Sequence, residues 1–541
     1  MNHINRIIFL CVLISGALSS ANIVAQSNNL WRDIDHLKYT RVWTNSNNAA
    51  GLKAISIDDN ISDVSVYANK IDGDFINYYQ ADNALTFGVD AESFYRLNSN
   101  VIFYGKVSYL NFEGKNMGGS VFINPYENPF DIVEYADTTR GSKILESYNL
   151  TGAISVKTGN KITLGGKIDY TAAHYAKIKD LRHRNNLLDM NLSAGAIYSI
   201  NPNVEVGMNY YYKRRIEDVF FKIYGNTDRQ YSSIISYGLF WGEMETQTGS
   251  YSNISFTNRN NPTPLTNETH GISLQGNINL SQQLSLFNEL SYRKRTGYYG
   301  IEGNDIKQTE HDANRYEYLG IVTFDKKETL HSFRLSFNHE SLSNYKMIFS
   351  ESTEPGQSSK IIYHTRNQRL SSKTTNAAIQ YTSHWGVKEQ LPQWELTVGA
   401  DYCNRRQTSM LYPFYRQQTL HIYKVKTTAV RNIKRTKDLF SLALGAMYGS
   451  GNGDVLKTGT YVVPSENQKT PSNADRYLYR EYEYQTASHV GGDLGFRYSR
   501  ILDKLPVRLY TQANFNYIHA FNTEYVGNSN RNITLAIGCV F

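Results

Sequence analysis

Charged side chains recur at every second position within runs whose other positions are apolar, and in this 541-residue chain they are the groups best placed to do chemistry. Lys167, Asp169, Glu205, Lys213, Glu289, Arg293, Arg334, Glu340, Asp401, Arg405 and Arg508 all fall this way. If each run is a strand, a period of two sends these charges to one face. On the inner wall of a pore they would form a constriction that selects solutes by charge. Mutually paired, they would instead fill a lumen and close it, since buried charges are tolerable when matched. Lys167 with Asp169, and Glu289 with Arg293, are near neighbours of opposite sign. The residue types leave both outcomes open. A second cluster sets Lys177, Lys179, Arg182, His183 and Arg184 against the single acid Asp180. In an external loop it would be solvated, or would bind lipopolysaccharide phosphates or an anionic solute.

Other chemistry is not written in the chain. Gly449-Ser-Gly-Asn-Gly-Asp454 lacks the Lys-Ser/Thr and the strand-to-helix setting of a phosphate loop. Histidines such as His174, His183, His311 and His364 are scattered, and no Gly-x-Ser-x-Gly elbow, HExxH, paired CxxC or EF-hand loop occurs. We expect no catalytic residues, no metal and no cofactor. A triad assembled across strands is invisible to sequence, so a hydrolase stays the weakest of the functional alternatives.

The elements that must position the charges are strands. Lys161 to Ala172 sets Ile162, Leu164, Ile168 and Tyr170 against Thr163, Lys167, Asp169 and Thr171. Asn203–Lys213, Gly271–Leu280, Leu330–Glu340, Trp394–Arg405, Phe440–Tyr448 and Val507–Phe521 repeat the pattern. The connections alternate in length. Short turns fall at 158–161, 200–203, 280–283, 324–328 and 434–437; long polar stretches fall at about 113–146, 217–269, 297–314, 342–360 and 450–483. Counting back from an inward-running last strand puts every long connection on one side and every short one on the other, as in membrane barrels. The fold expected is all-β: a transmembrane antiparallel up-and-down barrel of about 16 strands, within a range of roughly 14 to 18. A soluble β-sandwich would show similar alternation, but not the alternating loop lengths.

Composition agrees. The chain is 13% aromatic with 42 Tyr and 11 Pro, and it is polar on average with a mean hydropathy of -0.48. Tyr collects where a membrane meets water. The net charge of +7 is modest and dispersed, and no nucleic-acid module is present. Met1–Ala25 has the charged start (Arg6), apolar run (Ile7–Ile14) and small-residue end (Ile23-Val24-Ala25) of a secretory signal. Residues 26–60 form a polar periplasmic or lumen segment, and the barrel spans 61–541. The last strand turns Ile533, Leu535, Ile537, Cys539 and Phe541 to one face and Thr534, Ala536, Gly538 and Val540 to the other. Cys403 falls on an inward face and Cys539 on an outward one, so no disulfide is expected between them.

A chain closing on an aromatic residue at the end of such a strand resembles the outer-membrane barrels of Gram-negative bacteria. Ile533, Leu535, Ile537 and Phe541 match their insertion signal. The resemblance is to barrels of porin size, covers nearly the whole chain, and implies an outer-membrane location. Its implied partners are membrane lipid, lipopolysaccharide and the barrel assembly machinery, with a neighbouring active uptake transporter as a further candidate. It implies a channel or accessory transport role for small solutes; a non-conducting barrel acting through its external loops is the alternative. Lys177, Asp180, Arg182 and Asn185 are similar to the Lys, Asp, Arg, Asn pattern of a barrel family with no assigned activity, with Leu181 where that pattern has a proline. Residues 27–60 are too short for the plug domain of TonB-dependent transporters. Asn48-Ala-Ala-Gly-Leu52 resembles the Asn-Pro-Ala hatch start of fatty-acid transporter barrels, without its proline.

Overall fold

A computed structural model describes residues 31–541 apart from 57–58, 226–228, 248–254, 259–260, 302–305, 353–359 and 504. The signal segment 1–25 lies outside the described residues, as do parts of three of the long connections. Eighteen antiparallel strands, each bonded to its neighbours in chain order, close into a barrel. That is at the top of the expected range. Closure joins the first strand, Ile61–Gly73, to the last, Ser529–Val540, with Tyr67 opposite Ala536. Phe541 finishes the seam: its backbone N–H and carbonyl both bond Ser62, at 2.9 Å each.

Period two divides the wall as the alternation requires. Leu164, Ile168, Val206, Met208, Leu274, Leu290, Val398, Leu444, Leu535 and Ile537 point outward and stand exposed. A continuous apolar belt of this kind is costly in water and suits hydrocarbon. Among the described residues no helix is long and apolar enough to cross a membrane. Cys403 and Cys539 are both free thiols.

All five short turns lie at the end that carries the chain termini of the barrel. At the other end the strands overrun the expected connections. Leu284–Gly300, Lys307–Lys326, Thr329–Ser352 and Lys360–Trp385 fill most of 297–314 and 342–360. The physical reason is exposure: beyond the membrane both faces of a strand meet water, so apolar alternation disappears while backbone pairing continues.

Two additional bodies occupy the barrel ends. Residues 31–60 enter at the turn end as the helix Ile34–Thr40 and the 3₁₀ turns Val42–Asn45 and Ala49–Ala54. We call this the plug. A cap covers the other end. It is a four-stranded sheet of Asp131–Glu134, Tyr231–Ser236, Trp241–Gln247 and Ser472–Asn473, with the helix Asp475–Thr486 beside it.

Candidate functional site

The plug is seated on backbone. Gly165, Gly195 and Gly207, on three adjacent strands, face it. A Cβ at Gly165 would lie 2.0 Å from the Ala50 nitrogen, and one at Gly195 would lie 2.3 Å from Asn48 Oδ1. Glycine is the residue that permits so close an approach. Asn48 accepts from the Ala50 N–H at 3.0 Å, and its amide nitrogen reaches the carbonyls of Ala196 at 3.1 Å and Met208 at 3.2 Å. Val42, Trp43 and Ala50 pack on Ile197, Phe287 and Ile321; Ile34, Leu37 and Ile55 pack on Phe94, Ile102 and Tyr510.

Several of the expected lumen charges hold this plug. Glu205 accepts from Trp43 Nε1 at 2.8 Å and pairs with Lys53 at 2.6 Å. Glu289 accepts from Asn47 at 3.2 Å, Arg334 donates to Asn45 at 3.3 Å, and Arg508 donates to the Arg32 carbonyl at 2.8 Å. Lys167 pairs with Asp169 at 3.1 Å and Lys213 with Asp189 at 2.9 Å. The Glu289–Arg293 pairing does not form: Arg293 pairs with Glu317 on the next strand at 2.7 Å. Residues four apart on a strand are separated by about 13 Å, whereas cross-strand neighbours lie about 5 Å apart. Glu340 pairs with Arg295 at 3.2 Å, and Arg405 with Glu481 of the cap helix at 2.9 Å. Asp401 is exposed and lies opposite Lys424 in register.

The basic cluster is not a free loop. Arg182–Asn201 begins almost where Ile162–Lys177 ends, so Lys177 and His183 belong to wall strands and are buried. Lys177 pairs with Glu134 of the cap, which also accepts from Thr139 at 3.0 Å. Lys143, fully buried, donates to the Ser120 carbonyl at 2.7 Å and lies 3.7 Å from Glu134. His183 is hydrogen-bonded to Asn185 at 2.9 Å, and Asn185 donates to the Val121 carbonyl at 3.0 Å and to Glu217 at 2.7 Å. Asp180 accepts from the Gly225 N–H at 2.6 Å and from Arg182 at 2.9 Å. Arg182 stacks over Tyr224 and Arg184 over Phe220. Lys179 covers Gly141, where a Cβ would lie 2.6 Å from its own. The Lys, Asp, Arg, Asn pattern is therefore a latch that fastens cap segments to the wall. In the same cap, burial pushes the Asp131 carboxyl up to about 7, despite hydrogen bonds from Ser120 at 2.6 Å and Tyr78 at 3.0 Å.

Between cap and plug lies a polar chamber of about 280 Å³. Tyr126, Glu127 and Asn128 roof it, and six consecutive strands wall it with Lys213 and Arg215, Asn267 and Thr269, Arg293 and Arg295, Arg315, Asn338 and Glu340, and Thr374 and Asn376. Arg215 pairs with Glu127, and Arg315 joins Arg293 on Glu317 at 2.8 Å. Sequence reading picked out Lys213, Arg293 and Glu340 here and missed Arg215, Arg295 and Arg315. Each of the first two lies two positions beyond a residue that was picked, a spacing that returns a side chain to the same face. The roof residues sit in a long polar connection and carry no comparable signal. Among the described residues no group of three or more His, Cys, Asp or Glu is arranged to hold a metal.

The family model described as "Family of unknown function (DUF6850)" matches residues 49–541. No curated protein matches the chain. Among solved structures, the ferric preacinetobactin receptor BauA of Acinetobacter baumannii is 10% identical with a TM-score of 0.41, over 89% of this chain and 80% of that one. The ferric-catecholate import receptor Fiu of E. coli K12 is 7% identical with a TM-score of 0.39, over 89% and 81%. The siderophore receptor PiuA of Acinetobacter baumannii is 10% identical with a TM-score of 0.37, over 89% and 82%.

Proposed function

We propose a gated transport role for this chain, which belongs to the family of unknown function DUF6850. It works as an outer-membrane barrel that admits a small polar solute from outside into its lumen and releases it when the plug shifts. The carrying observation is the polar chamber of about 280 Å³ held between a seated plug and a latched cap. A permanently open pore needs no such seat, and a scaffold needs no such chamber. The belt of exposed apolar side chains supports the membrane location, and membrane lipid and lipopolysaccharide are its partners there. The strand carrying Ile533, Leu535, Ile537 and Phe541 is the part offered to the assembly machinery. Because the plug must move, a neighbouring active uptake transporter is a fitting source of the work.

Liposome swelling tests this. Liposomes holding the intact protein should swell slowly in small sugars. A Trp43→Ala/Lys53→Ala protein, stripped of both contacts to Glu205, should swell them much faster. Porin-like swelling by the intact protein would refute gating. No swelling from a variant whose folded barrel is verified and whose plug is protease-accessible would favour the non-conducting reading.

A further inference from the structure

We propose that the chamber is a binding site for a small hydroxylated solute bearing one oxyanion, a carboxylate or a phosphate. The proposal rests on reading the chamber as the solute compartment of a transport barrel, and it names the solute class.

The argument begins with which groups face the space. Five cations line it, Lys213, Arg215, Arg293, Arg295 and Arg315, but only two carboxylates, Glu127 and Glu340. The other partners, Asp189, Glu217 and Glu317, are not part of the lining and hold the cations from behind. Counting all ten groups, the network is neutral, so it is stable when empty. Its donors nevertheless outnumber its acceptors at the chamber face. Arg293 and Arg315 share the single carboxylate of Glu317, at 2.7 and 2.8 Å. Arg295 divides itself between Glu340 at 3.2 Å and the Glu127 carbonyl at 2.8 Å. Guanidiniums fixed by carboxylates behind them are preorganised forks, the geometry that reads a carboxylate or phosphate by paired hydrogen bonds.

Unpaired donors give an independent sign. Asn128 is 8% exposed, and its Nδ2 has no hydrogen-bond partner. Arg295 Nε is likewise buried without one. Buried donors left unmatched are costly, so an acceptor is the missing component of this space. The rest of the lining specifies the remainder of the solute. Amides of Asn267, Asn338 and Asn376 and hydroxyls of Thr269 and Thr374 both donate and accept, as hydroxyl groups require. A volume of about 280 Å³ suits a molecule of monosaccharide size. A cation would meet five like charges, and an apolar solute would leave Asn128 Nδ2 and Arg295 Nε unmatched.

Isothermal titration calorimetry on the detergent-solubilised full chain decides this, with glucuronate, glucose 6-phosphate and glucose as probes. We expect at least one anion to bind, with glucose at least tenfold weaker, and the stronger anion tells carboxylate from phosphate. Arg315→Gln should weaken that anion at least tenfold. Asn376→Asp, which adds a carboxylate to the wall without removing an ion pair, should weaken it similarly in a barrel shown to be folded by its heat-modifiable gel mobility. Glucose binding as well as the anions, unchanged binding in both variants, or no heat from either anion at millimolar concentration would overturn the proposal. Binding without solute passage in the swelling assay would leave the site standing and remove the transport reading alone.

Discussion

The plug and the cap close opposite ends of one barrel by different physics. The plug has no core of its own. Its one helix is seven residues long, too short to persist alone, and its apolar side chains are buried in clusters that the wall completes. Its seat is three glycines, hydrogen bonds such as those of Asn48, and half-buried charged contacts such as Lys53 with Glu205. The cap, by contrast, folds on itself. Val121, Phe122, Phe130, Ile132, Ile235 and Trp241 form one apolar cluster that also takes in Val219, Phe221, Leu265 and Tyr299 of the wall, and Tyr78, Val133, Ile234, Tyr477 and Leu478 form another. It is fastened to the wall by buried charge. The plug is therefore the end that can leave as a short segment, while the cap can only open as a body or not at all.

Breaking the latch should have the largest effect. Glu134→Ala leaves Lys143 and Lys177 buried without their carboxylate, a loss of about 3–5 kcal/mol by analogy with other buried pairs. Limited proteolysis should then cut the cap and spare the barrel; a cap as resistant as before would mean the latch is not ionic. The plug seat is next. Gly165→Ala forces a methyl against the Ala50 backbone, an overpacking cost of about 1–3 kcal/mol, and trypsin should gain access to Arg41 and Lys53 while the cap stays protected. Loosening of both ends together would show that they are coupled.

Acidity should separate the two ends further. Asp131 has its carboxyl raised from 3.8 to about 7 by burial, so the folded cap holds a proton that the unfolded chain releases. Its stabilising contribution is full below pH 3.8 and is lost as pH rises through about 7. Asp131→Asn should flatten that dependence in a cap-protease assay run from pH 5.5 to about 8. The plug should respond in the opposite sense and by less. Burial holds the His36 imidazole below its usual 6.5, and Asp33, Asp59, Asp325 and Arg41 act on it from a distance. His36 packs on His384 at 2.9 Å, beside Tyr39, and Glu395 lies 3.9 Å from His384. A lowered basic group favours the folded plug above pH 6.5, and this stability is lost as pH falls below it. Trypsin access to the plug should rise modestly at pH 5 and should not do so in His36→Gln.

Much of the barrel was legible because its rule is local. Alternation in Gly271–Leu280 or the last strand needs no partner to be read, and the parity of loop lengths follows from the chain alone. The first two strands, Ile61–Gly73 and Asn83–Arg96, are ambiguous in the sequence, which leaves the strand count about two short. The site was legible only in part. Arg293 could be placed on the inner face, but its partner Glu317 could not be found without the register. Lys177 reads as a loop residue because its partner Glu134 comes from a segment dozens of residues away, as do Val121 and Glu217, the partners of Asn185. The plug seat was hidden most deeply. Gly165, Gly195 and Gly207 become a cradle only when three strands are aligned side by side.

Single-channel recording in a planar bilayer tests the central claim most directly, with the intact protein and Gly165→Ala measured side by side. A closed lumen held by its plug predicts a quiet baseline from the intact protein and discrete conductance steps from the variant. Steady open steps of equal size from both would contradict it.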